Sequence, residues 1–262
     1  MKRLVQLGII SILIIAGIHQ EVLSSAGTII YFYNPETNIN NFSTLKTEFD
    51  SYLVTKGKYQ FQPFNDRNNF ESVINSNKNS IYILSSWHLQ SLKSKKIPLE
   101  IALLGTSNGE PMQRKVLSAK MSMTSFDDLV SGTVIAGAGS EEYIRSMLKQ
   151  ILGAHKEALI PVIKILTVPK DIDALMAVGF GMAGAALTAE GGLAKLSMIN
   201  PKQFQQMHSL GFSVKDYRLV AATFNKAGEQ EKPLLEILSA MQENNIGKET
   251  LKLLGIDGWK PI

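Results

Sequence analysis

Residues 28–35 have the sequence TIIYFYNP, a short run of β-branched and aromatic residues that stops at Asn-Pro. Such a run predicts a buried β-strand that ends before the proline. The next apolar residues, Phe42, Leu45, Phe49 and Leu53, recur every three or four positions and predict one face of a helix. A strand followed by a helix is the first half of a βαβ unit, so this stretch predicts an α/β fold with a largely parallel sheet.

Similar short apolar runs alternate with amphipathic stretches along the rest of the chain. These runs predict strands at residues 59–64, 80–84, 99–104, 116–121, 133–136, 163–168, 183–188 and 217–224. Apolar residues at helical spacing predict helices at residues 140–152, 170–178, 233–244 and 248–254. The alternation is typical of α/β proteins, and no repeat of fixed period accompanies it.

The order of these elements predicts two α/β lobes in one chain. The first lobe comprises residues 27–116 together with 217–262, and the second comprises residues 117–216. Strand-like segments near residues 117–124 and 207–216 carry the chain between the lobes without a long Gly/Ser linker. We therefore expect a hinge between the lobes and a cleft that closes on a ligand.

The amino terminus has the pattern of a secretory signal peptide. Lys2 and Arg3 precede an apolar run at residues 4–18, and a small-residue site follows at residues 24–26. The pattern predicts a signal peptide at residues 1–26 and hence a periplasmic protein; the alternative is a retained anchor helix. The chain has no cysteine, which excludes a lipid-modified cysteine, disulfide bonds and thiolate-bound metal.

Charge and composition argue against a nucleic-acid partner. The 27 basic and 23 acidic residues leave a net charge of +4, and the lysines are dispersed apart from a cluster at residues 93–96. That cluster is typical of a solvated face, because aromatic residues do not alternate with it as they do in nucleic-acid grooves. We expect a monomer that binds a small molecule and no nucleic acid.

Sequence motifs for catalysis are incomplete or misplaced. GFGMAG at residues 179–184 fits G-x-G-x-x-G, but it follows a predicted helix and precedes a predicted strand, so a close-packed turn is the better interpretation. His88, His155 and His208 lie too far apart to form a metal-binding motif. Paired carboxylates lie at predicted helix starts, where they cap helices. The sequence therefore predicts no enzyme activity, no cofactor and no metal.

Three segments resemble a known family. The sequence SFDDLVSGTVIA at residues 125–136 resembles the segment that opens the second lobe of type II periplasmic binding proteins, and residues 173–186 and 235–258 resemble two later segments. The most similar subgroup, the PhnD-like proteins, binds phosphate, phosphite or phosphonate for ABC importers. The resemblance covers most of residues 27–262. It implies two hinge-linked lobes with a ligand between them, and delivery to an inner-membrane transporter or another membrane partner.

Candidate ligand contacts follow from the fold class, because ligands in open α/β sheets lie at the carboxyl ends of the strands. Polar, aromatic and glycine residues at the ends of predicted strands are therefore the candidates: Tyr33, Asn34, Ser85, Ser86, Trp87, Thr106, Asn108, Gly139, Ser140, Thr188 and Glu190.

The second-lobe turn distinguishes this chain from its phosphonate-binding relatives. The resemblance implies a serine- or threonine-rich turn whose hydroxyls and helix N–H groups hold the oxyanion. Here the turn is Gly-Ala-Gly-Ser at residues 137–140, two glutamates follow it, and Gly184 stands where the family has an acidic residue. We therefore predict that the ligand is not a phosphonate but a neutral or largely apolar solute against Tyr33 and Trp87. The alternative is a sensing or docking module of a signalling or lipid-trafficking system.

Overall fold

The computed structural model describes residues 28–37, 41–224 and 228–262 of the chain. The predicted signal peptide lies outside the described residues. Within the described ranges, no helix has the length and apolar composition that a membrane span requires.

Strands and helices alternate along most of the described chain. The strands are β1 (Ile29–Tyr33), β2 (Gln60–Pro63), β3 (Ile81–Ser85), β4 (Leu99–Thr106), β5 (Met112–Gln113), β6 (Lys115–Lys120), β7 (Val134–Ala138), β8 (Lys164–Val168), β9 (Ala185–Ala189), β10 (Met207–Phe212), β11 (Asp216–Tyr217), β12 (Leu219–Phe224) and β13 (Gly258–Pro261). The helices are α1 (Phe42–Val54), α2 (Arg67–Ser76), α3 (Ser86–Ser94), α4 (Glu141–Leu152), α5 (Lys156–Leu159), α6 (Asp171–Gly179), α7 (Gly192–Ile199), α8 (Pro201–Phe204), α9 (Lys232–Ser239) and α10 (Asn245–Lys252).

The predicted strands and helices are present, but the sequence pattern missed α2, α3, α5, α7, α8, β5 and β13. Ser86 and Trp87, expected in a loop beyond a strand end, form the first turn of α3. This helix begins without a break after β3, because the Ser85 hydroxyl accepts a hydrogen bond from the His88 N–H and caps it. α2 buries only Phe70 and Ile74, too few apolar residues for a periodic signal.

The first sheet has six strands in the order β13-β4-β12-β3-β1-β2. β2, β1 and β3 are parallel, and Ile30 lies opposite both Phe61 and Ile81. β12 is antiparallel to β3 and β4, and β13 is antiparallel to β4. The expected largely parallel sheet is therefore a mixed sheet, because the chain returns from the second lobe through an antiparallel strand.

The second sheet has five strands in the order β10-β6-β9-β7-β8. β7 is parallel to β8 and β9, whereas β6 is antiparallel to β9 and β10. The glycine-rich motif lies in this lobe, where α6 ends at Gly179 and β9 begins at Ala185. It is the helix-to-strand turn that the sequence predicts, with Gly181 at a φ of 75°.

The chain crosses between the sheets at residues 107–114 and 213–218. At the crossing, β5 and β11 form a two-stranded antiparallel ribbon. The sequence places the two crossings at residues 117–124 and 207–216, but β6 and β10 already belong to the five-stranded sheet. A strand-like pattern does not distinguish a crossing segment from the strand that continues it. The first crossing therefore ends before its expected range begins, and the second overlaps its expected range.

Each sheet carries a buried apolar cluster on each of its two faces. On the first sheet, Phe49 of α1 stacks on Phe61 of β2 with ring centroids 4.0 Å apart, and α2 and α3 cover the opposite face. On the second sheet, α4 packs Ile144 and Leu148 against one face, and α6 packs Leu175 against the other. Because each sheet has its own buried clusters, the two lobes keep separate cores and meet at a cleft.

Candidate functional site

The parallel strands of both sheets point their carboxyl ends at the cleft between the lobes. β1 leads into the loop at residues 34–37, and β7 leads into the turn before α4. The two lobes contact each other directly along one part of this cleft, which we call the sealed side. Along the other part they leave a cavity, which we call the open side. The two sides differ in the polar groups that line them.

The sealed side is built on the turn that precedes α4. The Ser140 N–H donates a hydrogen bond of 2.7 Å to the Pro35 carbonyl oxygen of the other lobe. The Ser140 hydroxyl accepts from the Tyr143 N–H and so caps α4 within its own lobe. Gly139 has a φ of 101°, and a Cβ atom on it would overlap the Pro35 carbonyl oxygen. The resemblance implies an oxyanion at this helix terminus, but here the chain's own backbone already takes one of its donors.

Glu36 follows Pro35 and is buried between the lobes, with 6% of its surface exposed. Gln113 Nε2 donates to Glu36 Oε2 at 2.9 Å, and the Tyr143 hydroxyl also hydrogen-bonds the carboxyl group. Burial raises the pKa of Glu36, and the charge of Lys115 and the bond from Tyr143 only partly oppose this. Burial, together with the Glu36 charge, raises the pKa of Tyr143 well above its usual value.

Two side chains of the first lobe extend the sealed side along α4. Trp87 Nε1 donates to Ser146 Oγ at 2.9 Å, and the Trp87 ring meets the Tyr143 ring edge-on with centroids 5.5 Å apart. Arg67 Nη1 pairs with Glu142 Oε2 at 2.6 Å. Glu142, predicted to repel an anionic ligand, is therefore bound to a cation of the other lobe.

Arg67 is held in place by a polar network within the first lobe. The Glu71 carboxylate accepts from Arg67 and Lys95 at 2.6 Å and lies 3.0 Å from His88 Nε2. Burial would raise the pKa of Glu71, but the bonds from Lys95, Arg67 and His88 outweigh it and lower the pKa to about 2. Burial lowers the pKa of His88 to about 4, so its ring is neutral at pH 7. Glu71 therefore fixes the guanidinium that reaches Glu142.

The open side is a cavity of about 730 Å³. Its walls come from the β1–α1 loop, the start of α1 and the end of α10 in the first lobe, from the crossing strands, and from the β8–α6 turn and α7 in the second lobe. The charged residues in its lining are Glu36, Lys115, Lys170, Asp171, Lys195, Arg218 and Lys252. With five basic groups against two acidic ones, this lining favours an anion.

Lys115 is the most deeply placed of these cations, with 6% of its surface exposed. Among the described residues, its Nζ makes no hydrogen bond or ion pair, and it lies 5.6 Å from the centre of the Tyr143 ring. Arg218 stands on the other crossing strand, where its Nη1 donates to Gln113 Oε1 at 3.0 Å. The Lys115 charge also acts on the Glu36 carboxyl, but its ammonium lines the cavity without a hydrogen-bonded partner in the described part of the chain, so it is suited to an acceptor supplied from outside the chain.

The rest of the cavity wall consists of the polar residues Asn34, Thr37, Asn41, Thr44 and Gln113 and of a larger apolar part. The apolar part includes Leu45, Ala138, Pro169, Leu219, Leu253, Leu254 and Ile256. Such a wall accommodates a hydrocarbon body, whereas the cations fix a charged end. The arrangement fits an organic anion better than the neutral solute that the aromatic residues suggest, because Trp87 does not line this cavity.

The predicted contact residues are distributed over several places. Asn34 lines the cavity, while Tyr33 and Ser140 line a smaller opening of about 410 Å³. Ser86, Trp87 and Gly139 lie in or beside the sealed side; the Ser86 hydroxyl donates to the Tyr217 carbonyl oxygen at 2.6 Å. The remaining candidates are bound within the chain: Ser85 caps α3, Thr106 and the Asn108 N–H bind Asp257, Thr188 is buried, and Glu190 pairs with Arg114.

None of the charged residues in the cavity lining was among the predicted contacts. Glu36 and Lys170 each lie one or two residues beyond a predicted strand, so the strand-end rule could have found them. Asp171 was interpreted as a helix cap, although its Oδ2 accepts from the Ala189 N–H of the neighbouring strand at 2.7 Å. Lys115 and Arg218 carry no sequence signal, because their placement depends on the ribbon that brings two distant segments together.

Comparisons of sequence give no match, either to a family model or to a curated protein. Comparisons of structure give several matches. A protein of Xanthomonas citri bound to chloride ion has a TM-score of 0.66 at 11% identity, over 91% of this chain and 92% of that one. The binding protein component of an ABC phosphonate transporter from Pseudomonas aeruginosa has a TM-score of 0.62 at 14% identity, over 90% and 82%.

PhnD1 from Prochlorococcus marinus, in complex with methylphosphonate, has a TM-score of 0.62 at 9% identity, over 90% of this chain and 93% of that one. The agreement extends over both lobes, since nine-tenths of the chain is covered in each comparison. This chain therefore has the two-lobed α/β fold of the type II periplasmic binding proteins, as the sequence resemblance predicts.

Proposed function

We propose that this protein is a periplasmic solute-binding protein that captures a small organic anion on the open side of its cleft and delivers it to a membrane transporter. The observation that carries the proposal is Lys115, a buried cation that faces a cavity lined by both lobes. The protein acts by binding and closure and performs no chemical step. The fold supports this function, since proteins with the same two-lobed structure include binding components of transporters.

The shape of the site favours a monoanion with an apolar body, such as a carboxylate or a sulfonate. The charged end contacts Lys115 and Arg218, and the body lies on the leucines at the end of α10. Two carboxylates in the lining, Glu36 and Asp171, oppose a second negative charge on the ligand. The Pro35 carbonyl takes the helix donor at Ser140, so phosphate, phosphite and alkylphosphonates are expected to bind no better than millimolar, about −4 kcal/mol.

Closure in this proposal is a rotation about the crossing segments. β5 and β11 form the ribbon at the crossing, and residues of both flanking strands line the cavity. A ligand that contacts Lys252 of the first lobe and Lys195 of the second favours the closed arrangement over the open one, because only closure brings both to the ligand.

A second candidate function is a docking or sensing module in a signalling or lipid-trafficking system. The observation that favours it is the sealed side, where Ser140, Trp87 and Arg67 join the lobes through groups of the chain itself. A protein that is already closed by its own contacts needs no solute to hold that shape.

A thermal-shift panel separates the two candidates. The panel pairs small carboxylates and sulfonates with their neutral amides and includes methylphosphonate. For the solute-binding function we expect one class of monoanion to raise the Tm, with about 2.7 kcal/mol of stabilisation at a hundredfold excess over its Kd, and its amide to have no effect. If acids and amides shift the Tm equally, the anion proposal is wrong. If no compound shifts it, the docking function is favoured.

A further inference from the structure

A second surface lies at the end of the second lobe that is remote from the cleft. β7, β8 and β9 run toward the cleft, so the end of α6, the end of α7, α8 and the end of β6 lie together at the opposite end. Contacts confirm that these segments meet. Gly179 lies against the Gln203 side chain of α8, and the Met121 N–H donates to the Gln206 carbonyl oxygen at 2.9 Å.

This end of the lobe carries large apolar side chains that face solvent. Phe180 is 72% exposed and Met198 is 77% exposed, and four further residues belong to the same surface: Met121, Met182, Ile199 and Phe204. We call these six residues the apolar end. Single exposed apolar residues are ordinary, but six on adjoining segments at one end of a lobe are the kind of surface that marks an interaction site.

The charges next to the apolar end are positive, while the exposed Asp127 lies in the connection between β6 and β7 and is 3.6 Å from His155. Lys120 and Lys202 are exposed and border it, and residues 174–189 and 191–215 contain no aspartate or glutamate. Asp128, in the turn that follows β6, accepts hydrogen bonds from the N–H groups of Thr124 and Ser125 in the same turn.

We propose that the apolar end binds an anionic lipid surface. Phe180 and Met182 project from a turn between helix and strand, and Met198 and Ile199 from the end of a short helix. Side chains placed in this way enter the headgroup region of a bilayer while the flanking lysines contact anionic headgroups. A protein partner would need acidic groups placed opposite Lys120 and Lys202, whereas an anionic bilayer presents negative charge over its whole surface. The cleft lies at the other end of the lobe and stays accessible.

The absence of cysteine makes a direct test possible. Phe180→Cys and Met198→Cys are each labelled with an environment-sensitive fluorophore in the full chain. Val54→Cys is the matched control, because Val54 is 71% exposed at the end of α1 in the first lobe. Each labelled protein is mixed with vesicles of phosphatidylcholine, with and without phosphatidylglycerol, and with vesicles at high salt.

The expected result is a blue shift of both second-lobe labels on vesicles with phosphatidylglycerol, reduced on phosphatidylcholine alone and by salt, with no shift of the label at residue 54. Lys120→Gln and Lys202→Gln should each weaken the vesicle affinity roughly fivefold. The proposal is overturned if the labels at residues 180 and 198 do not shift, or if all three labels shift alike. A shift that grows with protein concentration in the absence of vesicles also overturns it, and assigns the surface to a second copy.

Discussion

The sealed and open sides of the cleft use polar groups in opposite ways. On the sealed side polar groups of one lobe bind groups of the other, as the Ser140 N–H binds Pro35, Trp87 binds Ser146 and Arg67 binds Glu142. On the open side Lys115 is as deeply buried but makes no hydrogen bond or ion pair among the described residues. Paired groups hold the lobes together, whereas a cation that lines a cavity without a hydrogen-bonded partner is available to a ligand. The sealed side is thus suited to hold the lobes and the open side to bind.

The difference also explains how a fold used for phosphonate binding elsewhere can take another ligand. The turn before α4 is present, but it accepts the first lobe's own Pro35–Glu36 segment instead of a solute. The cations that we propose to bind an anion, Lys115 and Arg218, lie at or beside the ends of the crossing segments instead of at a helix terminus. Weak phosphonate binding stays a prediction, and Glu142, which was expected to repel such a ligand, pairs with Arg67 instead.

The largest expected effect is a loss of folding stability in acid, through the network that holds Arg67 on the sealed side. The folded His88 has a pKa of about 4 against 6.5 when unfolded, so the unfolded chain binds the proton first and stability falls as the pH drops from 6.5 to 4. The expected loss is about 3 kcal/mol in urea unfolding at pH 4 relative to pH 7. Below pH 4.5 the lowered pKa of Glu71 adds a further loss down to about pH 2.

His88→Gln should remove most of the loss between pH 6.5 and 4, because glutamine does not titrate. His155→Gln is the matched control, since the His155 side chain is 47% exposed. Equal pH dependence of the two variants would show that the buried network around Glu71 does not govern the acid response.

The next effect comes from breaking the contact between the lobes directly. Gly139→Ala places a methyl group on the Pro35 carbonyl oxygen at a φ of 101°. Gly181→Ala has a similar φ of 75° but no atom within 4 Å of the added carbon, so it reports the backbone strain alone. We expect Gly139→Ala to be less stable than Gly181→Ala by about 2 kcal/mol and to have a larger radius of gyration in X-ray scattering. The same radius in both variants would mean that the sealed side does not hold the lobes.

A smaller effect is expected where the two sides meet, at Glu36. Its raised pKa means that the folded state binds its proton more tightly than the unfolded state, so its contribution to stability is present below about pH 4.5 and is lost as the pH rises through the folded pKa. Glu36→Gln should therefore gain stability relative to the natural chain as the pH rises from 4 to 8. Glu229→Gln, at an exposed position, should show no such trend. If the gain in stability of Glu36→Gln does not depend on pH, the pKa of Glu36 is not raised in the folded protein.

Local pattern was enough to predict the fold class, but the site depends on distant contacts. Phe42, Leu45 and Phe49 form a periodic stripe, and the glycine-rich turn at residues 179–184 lies between helix and strand as predicted. The role of Trp87 depends on Ser146, which lies 59 residues further along the chain. The ends of predicted strands indicate which residues lie near a cleft. They do not indicate which of these residues the other lobe will contact. Sequence therefore located the cleft and did not distinguish its sealed side from its open side.

The most direct test of this account compares one residue from each side by calorimetry with the tightest-binding monoanion. Lys115→Met removes the unpaired cation of the open side, and Ser146→Ala removes the Trp87 partner of the sealed side. We predict that Lys115→Met weakens binding roughly 10- to 100-fold, the loss of one charged hydrogen bond, and that Ser146→Ala and the exposed control Lys149→Met stay within about threefold. Unchanged affinity in Lys115→Met, or a larger loss in Ser146→Ala, would contradict the assignment of the open side as the ligand site.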